Sequence, residues 1–115
     1  MTKTIDTLEM DIYELLKSLK VNPATKGYNY LKTGLIMMFE DKSCREYITK
    51  TFYPAIAKKF GTTSGCVERN IRSVSTRIFN DDENKALVKD IFGTTRFVPN
   101  SMFLACLYEY LLHNN

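Results

Sequence analysis

The chain has 115 residues, of which 44% are hydrophobic and 25% are charged, enough apolar material for the core of one globular domain. No apolar run approaches the roughly 20 residues needed to cross a bilayer, and the N-terminus lacks the apolar segment of a signal peptide. Three cysteines and one histidine form no zinc-binding pattern, so we expect a cytoplasmic protein with reduced thiols and neither metal nor cofactor.

The positive charge is concentrated in the middle of the chain. Between Lys42 and Phe79, eight lysines and arginines stand against two glutamates, whereas the segments before and after are slightly acidic. A local excess of basic residues is typical of a protein that binds nucleic acid. A solvated surface without a partner has the same composition, so the charge alone does not decide between the two.

The first two predicted elements are helices. Apolar residues at helical spacing predict one over residues 4–20, which ends before Pro23, and a second over residues 26–40. Gly34 lies inside the second helix, where glycine costs about 1 kcal/mol relative to alanine, so we expect a neighbouring helix to pack closely there. The side chains expected to be buried are Ile5, Leu8, Ile12, Leu15, Leu16 and Leu19 in the first helix and Tyr28, Leu31, Leu35, Met38 and Phe39 in the second.

Further helices follow on both sides of a central pair. Ser43 is the predicted N-cap of a third helix that runs through Phe52, and residues 84–92 form a helix that ends at a C′ glycine, Gly93. Ser101 is the predicted N-cap of the last helix. With no strand pair in the sequence, we expect residues 1–115 to form one all-α domain. This domain would be a compact bundle of about six helices containing a helix-turn-helix, similar to the winged-helix DNA-binding class but without strands.

The central pair, residues 54–79, has the spacing of a helix-turn-helix. Ala57 is followed four residues later by Gly61, where the tight turn needs a positive φ, and ten residues later by Val67, which anchors the second helix. Many unrelated helix pairs satisfy two of these three conditions. The side chains expected to point inward from the first helix of the pair are Ile56, Ala57 and Phe60.

The second helix of the pair, about residues 64–79, is the predicted recognition helix, with Thr63 or Ser64 as its N-cap. Its apolar stripe consists of Val67, Ile71, Val74 and Ile78. Arginine can bond a guanine bidentately in the major groove, and a recognition helix presents its N-terminal half to the bases. The polar face shows Gly65, Glu68, Arg69, Arg72, Ser73 and Thr76, of which all but Thr76 are predicted base-reading residues; Cys66 joins them through the family resemblance given below. The predicted phosphate contacts, which position the protein without specifying a sequence, are Lys58, Lys59, Thr62, Thr63, Ser64 and Thr76.

Glu68 and Arg72 also permit a simpler interpretation. They are four residues apart on a helix, which is the spacing of an ordinary surface ion pair. Glu68 could instead accept a hydrogen bond from a cytosine or hold an arginine in place, and the sequence leaves these alternatives open.

Four segments resemble one known family. They are KGYNYLKTGLIMMFED, FYPAIAKKFGTTSGCVERNIRS, LVKDIFG and PNSMFLACLYEYL. Together they resemble the C-terminal effector domain of the sporulation initiation response regulator, stage zero sporulation protein A, over roughly residues 8–112. The resemblance implies six helices around a helix-turn-helix and sequence-specific binding to TGTCGAA-type promoter boxes. It also implies homodimers on tandem boxes and contact with the sigma factor of RNA polymerase.

Two positions and one domain depart from that family. The family has Arg where this chain has Cys66 and His where it has Ser73, so we expect the binding mode to be kept and the target sequence to have shifted. One lost arginine contact is worth about 1–3 kcal/mol of discrimination at one base pair. The family's receiver domain is not in this sequence, which makes the chain either a fragment of a longer protein or a standalone regulator. The matching positions of the recognition helix are Val67, Glu68, Arg69, Ile71 and Arg72.

Other functions fit the sequence less well. We do not expect an enzyme, because the only histidine is His113 near the C-terminus and neither Ser64 nor Cys66 has a base close in sequence. Cys66 begins a helix, where thiol pKa values are lowered, so it is either a redox sensor or an ordinary small surface residue. The main alternative is an interaction protein that keeps the fold and pairs with a full-length sporulation regulator or with RNA polymerase. Salt-dependent binding to duplex DNA distinguishes the two, and a purely structural helical module would leave the clustered charge unexplained.

The last helix carries more apolar residues than one buried face needs. They are Met102, Phe103, Leu104, Cys106, Leu107, Tyr108, Tyr110, Leu111 and Leu112. We expect part of this surplus, Leu104 and Tyr108 in particular, to be exposed as a site for self-association or for docking a regulator. The alternative is that both faces of the helix are buried within one monomer.

Overall fold

A computed structural model describes residues 4–113, and in this range the chain is helical without any strand. The elements are α1 (Ile5–Ser18), α2 (Lys26–Glu40), α3 (Lys42–Glu46), a π-helical segment (Ile48–Phe52), α4 (Tyr53–Phe60), α5 (Ser64–Asn80), a 3₁₀ segment (Asp82–Asn84), α6 (Lys85–Phe92) and α7 (Asn100–His113). The all-α expectation is therefore confirmed. Helix α2 contacts α1, α3, α4, α5 and α7, so it is the central element around which the others are arranged.

The predicted third helix is in fact two elements. The N-cap of α3 is Asp41 and not Ser43, since the Asp41 carboxylate accepts a hydrogen bond from the Ser43 backbone N–H at 2.9 Å. A carboxylate also complements the positive end of the helix dipole, which a serine hydroxyl does not. The helix is only five residues long, and after Tyr47 the chain continues as the π-helical segment directly into α4.

Two helix packings depend on glycine. A Cβ built on Gly34 would lie 2.4 Å from Phe52 Cζ and 2.9 Å from Ile56 Cδ1, so α2 approaches the π-helical segment and α4 as closely as predicted. A Cβ on Gly27 would lie 2.5 Å from Val74 Cγ2, which brings the start of α2 equally close to α5. Both contacts fix the α4–α5 pair against the central helix.

Two residues expected in the core are exposed, because each lies at the end of its helix. Phe60, the last residue of α4, is 42% exposed, and its ring makes an edge-to-face contact with Tyr30 with the ring centroids 5.2 Å apart. Ile5, the first residue of α1, is 50% exposed. Phe39 is partly buried against the core, and the other predicted core residues of α1 and α2 are buried as expected.

The expected surplus of apolar residues on α7 is exposed only in part: Met102 and Leu112 are 44% and 37% exposed, and Cys106, Tyr108 and Tyr110 are partly buried. Leu104 is 0% exposed, and Tyr108 packs against Phe39, with the ring centroids 4.6 Å apart, and beneath the Arg45 guanidinium. The expectation that Leu104 is exposed in a partner site was wrong, because α7 contacts α1, α2, α5 and α6, whereas Tyr108 is partly exposed. The helix also begins at Asn100, so Ser101 lies within its first turn and is not its N-cap.

Candidate nucleic-acid interface

A tight turn joins α4 to α5. Gly61 has a φ of +64° and a ψ of 39°, which is the left-handed conformation predicted for it. The Thr62 backbone N–H donates to the carbonyl oxygen of Ala57 at 2.9 Å and completes the C-terminus of α4. Thr63 is the N-cap of α5, since its side-chain oxygen accepts from the Cys66 backbone N–H at 3.1 Å, and this decides between Thr63 and Ser64.

The inner face of α5 is buried as the spacing of its apolar residues predicts. Val67, Ile71, Val74 and Ile78 are all buried, as are Ser75 and Phe79. This face packs against α2 and α4, and the glycine contact at Gly27 brings α2 especially close to it. The position and rotation of α5 are therefore set by buried contacts, and its polar side chains are left on the outside.

None of the predicted DNA-contacting residues is buried, and all of them lie on α4, the turn or α5. The exposed ones are Lys58, Lys59, Thr63, Gly65, Arg69, Arg72, Ser73 and Thr76, and the partly exposed ones are Thr62, Ser64, Cys66 and Glu68. A shallow open depression lies along the outer face of α5, lined by Arg69, Arg72, Ser73, Thr76 and Arg77. The helix therefore presents three guanidinium groups and two hydroxyls to one side of the molecule.

Glu68 and Arg72 form the ion pair that their spacing predicts. Both carboxylate oxygens of Glu68 accept from Arg72 Nη2, and this hydrogen bond raises the pKa of the Arg72 guanidinium above its ordinary value. A guanidinium has five N–H donors, so the pair holds Arg72 in place and leaves donors free for another acceptor. The ion-pair interpretation and a role in DNA reading are compatible in this geometry.

Asn100 links three helices behind this pair. Its Nδ2 donates to the backbone oxygen of Glu68 at 3.1 Å and lies 3.1 Å from the Tyr53 hydroxyl. Glu68 is on α5, Tyr53 begins α4 and Asn100 begins α7, so one side-chain amide ties the first half of α5 to both neighbours. The sequence offered no signal for this contact, because these residues are 32 and 47 positions from Asn100.

The surroundings of Cys66 combine hydrogen bonds with positive charge. The pKa of the Cys66 thiol is lowered mainly by a hydrogen bond with the Thr62 hydroxyl, and further by the Tyr30 hydroxyl and by the charges of Lys26 and Arg69. Lys26 is the first residue of α2 and lies 40 positions before Cys66, so the helical spacing of α5 gives no sign of it. Arg77 was also missed, although its position four residues after Ser73 places it on the same side of α5.

The model of a known family, described as sporulation initiation factor Spo0A C terminal, matches residues 12–111. The chain belongs to this family. The match begins in α1 and ends in α7, so it includes every element of the interface, and it confirms the resemblance found in the sequence. The C-terminal domains of this family are DNA-binding effector domains of a sporulation response regulator, and the family is not a class of enzyme. DNA is therefore the kind of partner that the family binds. Within residues 4–113, no helix combines the length and the hydrophobicity that crossing a lipid bilayer requires.

Proposed function

We propose that this protein is a transcription regulator that binds double-stranded DNA sequence-specifically, with α5 in the major groove. The observation that carries the proposal is the exposed face of α5, where Arg69 and Arg72 project opposite an unbroken buried stripe. A helix held by one buried face and bearing arginines on the other suits the major groove in width and in chemistry. The helix-turn-helix geometry of α4 and α5 supports the same mode.

Arg69 and Arg72 have different roles in this proposal. Arg69 forms no ion pair among residues 4–113, so its donors are free to bond a guanine. Its Nη1 lies over Gly65, where an added Cβ would be only 3.2 Å away, so Gly65 leaves room for this arginine and for a close approach of the base pairs. Arg72 is oriented by Glu68, which either shares it with a base or accepts from a cytosine.

The phosphate contacts are proposed to surround the base-reading residues. Lys58 and Lys59 are exposed in the last turn of α4, where they precede the turn into α5. Thr62, Thr63 and Ser64 lie at the N-terminus of α5, where free backbone N–H groups and the helix dipole favour an anion. Thr76 lies about two turns beyond Arg69 on the same side of α5. These contacts would fix the orientation of α5 without adding sequence preference.

The target sequence is proposed to differ from the family's promoter box. Cys66 and Ser73 stand where the family resemblance has Arg and His, and neither replacement can make the bidentate contact that an arginine makes with guanine. Gly65, Cys66 and Ser73 then line the base-reading surface with small side chains. The resemblance further supports a second copy on tandem boxes and the sigma factor of RNA polymerase as partners.

A selection from random duplex DNA tests this proposal. We expect one enriched motif, and Arg69→Ala should weaken binding to it by about 1–3 kcal/mol while relaxing preference at one base pair. The matched control is Lys89→Gln, which removes one positive charge from the exposed surface of α6, outside the interface. If no motif is enriched, or if a folded Arg69→Ala variant binds as tightly and selectively as the wild type, the proposal is wrong.

A further inference from the structure

One row of α5 residues runs along the edge of the proposed base-reading surface and continues beyond it. Cys66, Ser73 and Arg77 are seven and four residues apart, so at about 100° per residue they fall within about 40° of one another around the helix. Lys26 of α2 is close enough to the Cys66 sulfur for its charge to lower the thiol pKa. This side of α5, which we call the α2-side flank, therefore has a positive charge at each end and small side chains between.

Arg77 is the exposed cation at the C-terminal end of this flank. It forms no ion pair among residues 4–113, although Asp81 follows it by four residues. The Asp81 carboxylate lies 3.5 Å from Lys20 Nζ instead, and Lys20 also bonds Glu83 at 2.9 Å. The acidic groups nearest to the end of α5 are thus engaged by Lys20, and the Arg77 guanidinium is available to an external anion.

The stem of Arg77 has apolar neighbours. Arg77 lines the outer depression of α5 together with Arg69, and it also lines a cavity between α5 and the loop that follows α1. The apolar residues of that cavity are Leu19, Val21, Val74 and Ile78. An arginine commonly covers such surface with its methylene stem while its charged end stays in solvent. The Arg77 side chain therefore lies between this cavity and the outer depression that carries Arg69.

Arg77 follows Arg69 by eight residues, so it lies about 12 Å further along α5 and about 80° around it. A recognition helix presents its N-terminal half to the bases. Arg77 is in the C-terminal half of α5, so the acceptors expected within its reach are phosphate oxygens of the backbone and not base edges. We propose that Arg77 binds a backbone phosphate on the strand that borders the α2-side flank, outside the base pairs read by residues 65–73. This inference rests on the proposed function and adds to it a contact that fixes how far α5 enters the groove.

The test uses Arg77→Gln, which keeps most of the stem and removes the charge, with Arg77→Lys and Lys89→Gln as controls. Binding is measured between 50 and 200 mM salt on a duplex that carries the selected motif and several flanking base pairs. Each phosphate contact contributes about 0.9 to the salt slope. Between 50 and 200 mM salt, the factor by which affinity falls should therefore be about threefold smaller for Arg77→Gln than for the wild type. For Arg77→Lys and Lys89→Gln this factor should equal that of the wild type.

A second measurement locates the contact on the DNA. Each backbone phosphate of the duplex is replaced in turn by a neutral methylphosphonate. We expect one replacement on one strand, outside the base-read positions, to weaken the wild type but to have no further effect on Arg77→Gln. Circular dichroism verifies that the variant is folded, which its exposed position favours.

The outcomes separate this inference from the proposed function. If Arg77→Gln keeps the wild-type salt slope and phosphate profile while Arg69→Ala loses binding, the inference is wrong and the proposed function stands. If Arg77→Gln instead changes the preference at a base pair, Arg77 reads a base and the phosphate assignment is wrong. If the wild type shows no salt-dependent binding to any duplex, both fail together.

Discussion

Replacing Gly34 by alanine would force apart the central helix α2 and the segment that leads into α4. The added Cβ would lie 2.4 Å and 2.6 Å from two ring carbons of Phe52 and 2.9 Å from Ile56 Cδ1, whereas carbon atoms normally stay about 3.5–4.0 Å apart. Both neighbours are 0% exposed, so neither can turn aside into solvent. The substitution is therefore an overpacking of the core and not a simple gain of helix propensity.

The two effects of Gly34→Ala oppose each other, and their magnitudes decide the sign. Alanine gains about 1 kcal/mol over glycine inside a helix. Overpacking a well-packed core typically costs about 1–3 kcal/mol, and a rigid buried ring favours the upper part of that range. We expect the free energy of unfolding to fall by about 1–2 kcal/mol, measured by urea denaturation monitored by circular dichroism.

Gly65→Ala is the matched control for this prediction. It places the same Cβ near the start of α5, where the one atom found close to it is Nη1 of the exposed Arg69 side chain, at 3.2 Å. Its stability should equal or slightly exceed that of the wild type, because an exposed side chain can move. A Gly34→Ala variant that is as stable as the wild type would refute the close packing of α2 against Phe52.

Three further predictions follow from the structure. Leu104→Glu should unfold the protein or lower its melting temperature strongly in a thermal scan, because it buries an unpaired charge, whereas an exposed partner site would leave stability unchanged. Thr63→Ala should cost about 1 kcal/mol in urea denaturation through loss of the α5 N-cap, and Ser64→Ala should cost less. Iodoacetamide should modify Cys66 faster than Cys44 at neutral pH, as followed by mass spectrometry. The reason is that the pKa of the Cys66 thiol is lowered, whereas burial raises the pKa of the Cys44 thiol. Equal rates would contradict this prediction.

The parts of the fold that depend on local chemistry could be predicted from the sequence. The bounds of α2, the left-handed conformation of Gly61 and the buried stripe of α5 all follow from residue spacing and backbone preference. The close packing at Gly34 was predictable for the same reason, since an interior glycine is costly unless a neighbour needs the space. The first three features involve residues within a few turns of one another, and at Gly34 the sequence predicted a close neighbour without identifying it.

The wrong predictions concern contacts and burial that depend on how the helices pack in three dimensions. The exposure of Phe60 depends on where α4 ends relative to α2, and the burial of Leu104 depends on how many helices surround α7. The choice of Asp41 over Ser43 as an N-cap depends on which side chain reaches the free N–H groups. On the candidate site, Lys26 and Asn100 were missed because they reach α5 from distant segments, whereas helical spacing alone could have found Arg77.

The π-helical segment places one extra residue in the connection between α3 and α4. Its backbone includes a bond from the Phe52 N–H to the Tyr47 carbonyl oxygen, at 3.2 Å, which spans one residue more than an α-helical bond does. Deleting one residue here can therefore be absorbed by closing the segment as an α-helix, which keeps the chain after it close to its present orientation. The same deletion inside α4, before Lys58 and Lys59, cannot be absorbed in this way and would turn both lysines by about 100°. The chain should therefore tolerate the loss of one residue within the π-helical segment much better than within α4.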